Sequence, residues 1–187
     1  MPPTEPDPGC WAKGVLPQGY RQVTDGRIRE NVGFGYDDFR LGLVIEHRPG
    51  RTVTETDNLL GTALTGNVAP IHTDAHYSST TEWGRPLVCS GVTLNIVAGM
   101  TVRSTSGLTT ANLGLDDVRF ENPVFVGDTL YAETEILARR PSQSRPHNGL
   151  VTCRTSGLNQ DGKRVAVFTR TFLVPTDPDS ARAAAHY

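Results

Sequence analysis

Val88-Cys89-Ser90-Gly91-Val92-Thr93-Leu94-Asn95-Ile96-Val97-Ala98-Gly99-Met100-Thr101-Val102 puts Val88, Val92, Ile96 and Met100 at helical spacing, and Leu94 and Val97 widen that face. A helix apolar over most of its circumference belongs inside a protein and needs other elements laid against it. Downstream the period changes to two. Leu113 and Leu115 alternate, then Val118 and Phe120, with a change of phase at Asp116-Asp117 that predicts a bulge. Strands are also predicted over Leu130–Ala138, Leu150–Leu158 and Val165–Val174, the last apolar on both faces. Asn122-Pro123, Pro141-Ser142 and Asn159-Gln160-Asp161-Gly162 carry the turn chemistry between them.

Upstream of the long helix, Leu43, Val44 and Ile45 suit a strand from Gly42 to His47, closed by Pro49-Gly50. Thr52-Val-Thr-Glu55 has the form of a capping box and predicts a helix start. Leu59, Leu60, Ala63 and Leu64 recur at its spacing, and Gly66 supplies a left-handed stop. Pro70 has no amide hydrogen, so Pro70-Ile-His72-Thr-Asp74 is expected as an irregular turn that holds His72 out of an apolar segment. Strand, helix, turn, long buried helix and four antiparallel strands make an α+β layer arrangement.

The chain has 187 residues, 37% of them hydrophobic, which suits one ordinary domain. A net charge of -2 gives no electrostatic footprint for nucleic acid or an anionic membrane. Cys10, Cys89 and Cys153 lack metal-ligand spacing, and an odd number fits a reducing compartment, so neither metal nor disulfide framework is expected. The acidic, proline-rich start is unlike a signal peptide and no long apolar run occurs, which reads as a soluble cytoplasmic protein without a membrane segment. Residues 1–33 read as a loosely ordered extension, residues 34–176 as the folded domain and residues 177–187 as an unanchored tail.

Asn67-Val-Ala69-Pro70-Ile-His72-Thr-Asp74, then Trp83-Gly84-Arg85-Pro86, then Ser90-Gly91 resembles the MaoC-like hydratase/dehydratase family. The strings Ala111-Asn-Leu-Gly-Leu-Asp-Asp-Val-Arg-Phe120 and Asn122-Pro-Val-Phe-Val-Gly-Asp-Thr-Leu-Tyr-Ala-Glu-Thr-Glu135 are most similar to its mesaconyl-CoA hydratase (β-methylmalyl-CoA dehydratase) branch. The resemblance implies a hotdog fold, in which an antiparallel sheet wraps a long central helix. It also implies a homodimer or larger assembly, no cofactor, and water addition to an enoyl thioester of coenzyme A or of an acyl carrier protein. The family's catalytic aspartate falls at Asn67 and its usual asparagine at Ala69.

Such chemistry needs a base for water, a proton for Cα and donors for the charge that grows on the thioester oxygen. An imidazole suits the first at neutral pH, which assigns His72. The Asn67 amide can orient the water but cannot take its proton. A supporting carboxylate would be Asp57 or Asp74, with Asp74 favoured to orient His72. The Gly91 amide at the start of the long helix is the expected oxyanion donor, with Pro70 and Ser90 beside the substrate and Ser90 also readable as a plain cap. Arg85 is the choice for a substrate carboxylate, and Arg119, Arg139, Arg140 and Arg145 are further cations available to phosphates. A hotdog thioesterase, or a repurposed biosynthetic dehydratase or binder working on a carrier-bound substrate, stands as the alternative.

Overall fold

The structure is a computed structural model that describes Leu16 and residues 19–24 and 26–184. Along the chain run β1 (Tyr20–Thr24), β2 (Arg27–Glu30), β3 (Val44–Thr52), α1 (Glu55–Thr65), α2 (Pro70–Thr73), α3 (Ala75–Ser79) and α4 (Ser90–Val102). After these come β4 (Ala111–Phe120), β5 (Thr129–Pro141), β6 (Asn148–Leu158), β7 (Arg164–Pro175) and α5 (Pro178–Ala184). The main sheet has five strands in the order β3-β5-β6-β7-β4, and every neighbouring pair in it is antiparallel.

Helix α4 lies against this sheet. Its Val92, Ile96 and Val97 pack with Leu130 and Ala132 of β5 and Val165, Ala166 and Phe168 of β7. Burying a side chain of this size is worth about 1.5 to 3 kcal/mol, so this layer sets where α4 sits. Two glycines, Gly157 of β6 and Gly61 of α1, let α4 pack closely against sheet and neighbouring helix. A Cβ at Gly157 would stand 2.5 Å from Val97 Cγ2, and one at Gly61 would stand 2.2 Å from Val92 Cγ2. The stripe Gly91, Asn95, Gly99 and Val102 stays exposed, so α4 is buried on most of its surface and open along one line.

Every strand expected from the sequence is present, and the bulge falls where the phase changes: the β4–β7 register shifts between Asp116 and Arg119, with Asp117 at φ 50. Several details differ. β3 continues through Pro49 and Gly50 to Thr52, with its pairing to β5 interrupted between His47 and Arg51. Proline is tolerated at an irregularity on an edge strand, where no ladder bond is required of it. α1 is capped by Thr54, not Thr52: Thr54 Oγ1 accepts from the Asp57 amide, and the Asp57 carboxylate accepts from the Thr54 amide. Its buried positions are Asn58 and Thr62, while Leu59, Leu60 and Leu64 face outward. Pro70 opens a one-turn helix at N1 instead of an irregular turn, since the first helical amide needs no partner.

At both ends the described residues carry regular structure. β1 and β2 pair as a hairpin within the extension, and α5 docks the tail through Arg182, which donates to the Gly33 carbonyl at 2.9 Å and to Asp179 at 3.0 Å. Residues 1–15, 17, 18 and 25 of the extension and the last three of the tail lie outside the described residues.

On β3, His47 is buried between Ser104 Oγ (2.7 Å from Nδ1) and Thr134 Oγ1 (2.8 Å from Nε2), and Thr134 Oγ1 lies 2.9 Å from Thr155 Oγ1. Burial, reinforced by the guanidinium groups of Arg48 and Arg170, pushes the imidazole down from 6.5 to about 4. Between these two values the unfolded chain binds a proton that the folded chain refuses. Stability is therefore full above the unfolded value and is lost as pH falls toward the folded one, by up to about 3 kcal/mol. Denaturant unfolding at pH 7 and pH 4.5 should show most of this loss, and His47→Gln should remove that part of the difference between the two pH values.

Candidate active site

Gly66 ends α1 in the left-handed region at φ 65, and the chain then turns into α2, which carries His72. His72 Nδ1 lies 3.0 Å from the Leu87 carbonyl oxygen. A carbonyl only accepts, so in the neutral ring the proton sits on Nδ1 and Nε2 keeps its lone pair. That is the arrangement a general base requires.

The Leu87 segment is held in turn. Its amide donates to the Ile71 carbonyl at 3.0 Å, and the next amide, of Val88, donates to the Val124 carbonyl at 2.9 Å. Asn58 reaches into the same junction from α1. Its amide nitrogen donates to the His72 carbonyl (2.9 Å) and lies 3.4 Å from the Leu87 carbonyl, and its oxygen accepts from the Cys89 amide (2.8 Å).

His72 lines two cavities. One, of about 280 Å³, is walled by Trp83, Leu87, Val88, Phe120, Pro123, Val124 and Val165 and carries Ser90, Thr93, Glu121 and Asn122 as polar groups. The other, of about 360 Å³, is lined by Glu55, Asn58, Leu59, Thr73, Ala75, Arg85, Pro86 and Val126. Trp83 of the first cavity and Arg85 of the second both meet Phe125, with Arg85 3.9 Å from its ring centre and the Trp83 ring 6.5 Å away. Arg164 grips Glu121 in a two-bond fork (2.8 and 2.9 Å) and holds that carboxyl below its ordinary range. Among the described residues no three His, Cys, Asp or Glu side chains converge as metal ligands would, and no helix is long and apolar enough to cross a membrane.

The expected site residues separate into two groups. His72, Ser90 and Arg85 line the cavities. Asn67, Pro70, Asp74 and Gly91 do not. The Asn67 oxygen accepts from the Ala69 amide (3.1 Å) and its nitrogen faces Cys89 Sγ (3.3 Å), so this amide ties the turn to the head of α4 rather than facing a cavity. Asp74 caps α3 by accepting from the Tyr77 amide at 2.9 Å, and the group that orients His72 is the Leu87 carbonyl instead. Asp57 is occupied by Thr54 and Arg51. Pro70 spends its carbonyl on the Asp74 amide.

Gly91 is the second residue of α4 and lies on its exposed stripe, while Ser90 and Thr93 carry the helix onto the cavity wall. The helix start has no side-chain cap, so its first amides remain available at the positive end of the dipole. Asn58, Thr93 and Glu121 are site residues that the sequence alone does not single out. A polar residue on the buried face of α1 is the available signal for Asn58.

The MaoC like domain model matches residues 38–156. The chain belongs to the MaoC-like family. It is 32% identical over 158 residues to mesaconyl-CoA hydratase from Cereibacter sphaeroides, an alignment that spans 84% of this chain and 46% of the relative. It is likewise 32% identical to beta-methylmalyl-CoA dehydratase from Chloroflexus aurantiacus, over 81% of this chain and 43% of the relative. A protein of Mycobacterium tuberculosis described as having a double hotdog fold superposes with a TM-score of 0.70 at 27% identity, covering 79% of this chain and 46% of the other. The chain therefore spans about half the length of the curated relatives it matches, and its α4-on-sheet layer is a single hotdog unit.

The cap assignments lead to a measurable contrast. Asp74→Ala should lower stability by about 1 kcal/mol, a fall in Tm of roughly 2 to 4 °C, while any turnover the protein supports stays within about threefold, because the carboxylate caps α3 and is not the group that holds the His72 ring. A loss of turnover with unchanged Tm would restore Asp74 to the catalytic apparatus.

Proposed function

We propose that this MaoC-like protein is a hydro-lyase that adds water reversibly to the double bond of an enoyl-CoA thioester. The observation that carries the reading is the ring of His72 anchored through Nδ1 to the Leu87 carbonyl, which leaves Nε2 outside that bond on a residue lining the same cavity as Ser90 at the uncapped head of α4. In the hydration direction, Nε2 takes a proton from water as the water oxygen bonds to Cβ. The π electrons move onto the thioester oxygen as an enolate, which the first amides of α4 receive. The imidazolium then returns its proton to Cα, so water is added and the base regenerated. Asn67 supplies no carboxylate to this cycle.

The names of the relatives support coenzyme A thioesters as the substrate class. Arg85 supports an acyl group that ends in a carboxylate: it lines the second cavity beside His72, and among the described residues no carboxylate pairs with it. A homodimer or larger assembly completes the reading. A single copy leaves Leu113, Leu115 and Phe120 of the edge strand β4 exposed, and Val102 of α4 as well, which is a surface that proteins ordinarily cover. A reducing, cytoplasmic setting accords with Cys89 and Cys153, both free thiols.

Enoyl absorbance and thiol release followed together on the same acyl-CoA test the reaction class. Loss of the double bond without thiol release is expected, and thiol release alone would make the protein a thioesterase. His72→Ala should lower kcat by about 10²- to 10⁴-fold. Arg85→Ala should raise KM for a carboxylated enoyl-CoA such as mesaconyl-CoA by about 10- to 100-fold and leave crotonyl-CoA almost unaffected. An equal effect on both substrates would remove Arg85 from acyl recognition.

A further inference from the structure

We infer that Asn58 is a positioning residue for His72, one that fixes which ring nitrogen carries the proton; the inference rests on the reading of His72 as the base. Three strands of observation meet at this side chain. It is buried, at 4% exposure, although it is polar and sits on a helix face that would ordinarily hold an apolar residue. Its partners settle the orientation of its amide, because Cys89 offers an N–H while His72 and Leu87 offer carbonyls. And those partners are three segments of the site: the short helix α2 that bears the base, the carbonyl that anchors the base's ring, and Cys89, the residue immediately before α4.

The consequence is geometric. The Leu87 carbonyl receives His72 Nδ1 at 3.0 Å and has Asn58 Nδ2 at 3.4 Å, so its direction is shared between the ring and the clamp. Through the His72 carbonyl, at 2.9 Å, the same amide nitrogen fixes the backbone from which the ring projects. Ring and acceptor are thus set relative to one another by one rigid planar group, and the head of α4 is registered to both through the Cys89 amide. Without this group the Leu87 carbonyl and the His72 backbone are no longer held in register, so the Nδ1–H bond loosens and the tautomer with its proton on Nε2, where the water must be activated, gains population. Asn58 touches no reacting atom in this scheme. It acts through His72 and Leu87.

Histidine tautomers are directly visible in imidazole 15N chemical shifts, which need no turnover. In protein labelled with 15N-histidine, with the His72 signals assigned by their disappearance in His72→Gln, the wild type should show His72 protonated at Nδ1. Protonation at Nε2 there overturns the inference without any variant. Asn58→Leu, of similar volume with no polar atoms, and Asn58→Ser, which keeps one donor, should shift the ring toward the Nε2–H form. Both should lower kcat on an enoyl-CoA by about 10- to 100-fold, the scale of a misplaced catalytic group, with KM within about threefold and a greater loss in Leu than in Ser. An unchanged tautomer in either variant that retains a folded spectrum refutes the assignment, as does unchanged kcat alongside a changed tautomer. If wild-type protein fails to hydrate any enoyl-CoA while the tautomer still depends on residue 58, the hydratase reading falls and the positioning role stands. Hydration that proceeds with a tautomer indifferent to residue 58 removes the positioning role and leaves the hydratase reading in place.

Discussion

A peptide carbonyl has two lone pairs, and that of Leu87 is shared between the ring of His72 at 3.0 Å and the amide of Asn58 at 3.4 Å. The same residue's amide is bound to Ile71. Much of the site depends on this short stretch of backbone, because it joins a one-turn helix too short to hold itself together to a thirteen-residue helix that is anchored in the core. A four-residue helix with a proline at its start has little stability of its own. Its shape is borrowed from the segment running into α4, and α4 takes its own place from the sheet.

How much of this can be read from the sequence follows from the range of the forces involved. The strands, the bulge at Asp117 and the left-handed stop at Gly66 depend on side-chain periodicity or on one residue's backbone freedom, and these are visible locally. The start of α1 is ambiguous for a local reason and settled by a distant one. Thr52 with Glu55 and Thr54 with Asp57 both have capping-box spacing. Thr52 is paired with Thr129 in the sheet, and Val53 is held extended by Asp128 and Gly127, so the helix must wait until Thr54. Likewise the inward face of α1 is decided by Gly61 meeting Val92, which turns Leu59, Leu60 and Leu64 to the outside against their hydrophobicity.

Within the site, the residue types are legible and the pairings are not. A histidine after a proline and an arginine before one can be noticed in a single sequence. That the imidazole is oriented by a carbonyl fifteen positions away, and not by the carboxylate two positions away, depends on how the 86–89 segment returns past α2. Asp74 has a nearer use as a cap. The arginines behave similarly: Arg139 lies over Tyr36, Arg154 pairs with Glu135 and Arg164 with Glu121. Exposed pairs of this kind add little to stability, yet they occupy cations that composition alone would leave available for phosphate.

Where Val97 presses against the backbone at Gly157, the separation between helix and sheet is fixed by the absence of a single methyl group. Interiors packed this closely respond to added volume by displacement rather than compression. Positions 97 and 157 are therefore not free to drift independently over evolutionary time: a bulkier residue at the second demands a slimmer one at the first, or the long helix lifts and widens the chamber in front of its N-terminus. Divergence at this distant pair is a route by which related chains change the size of that chamber without altering any residue that lines it.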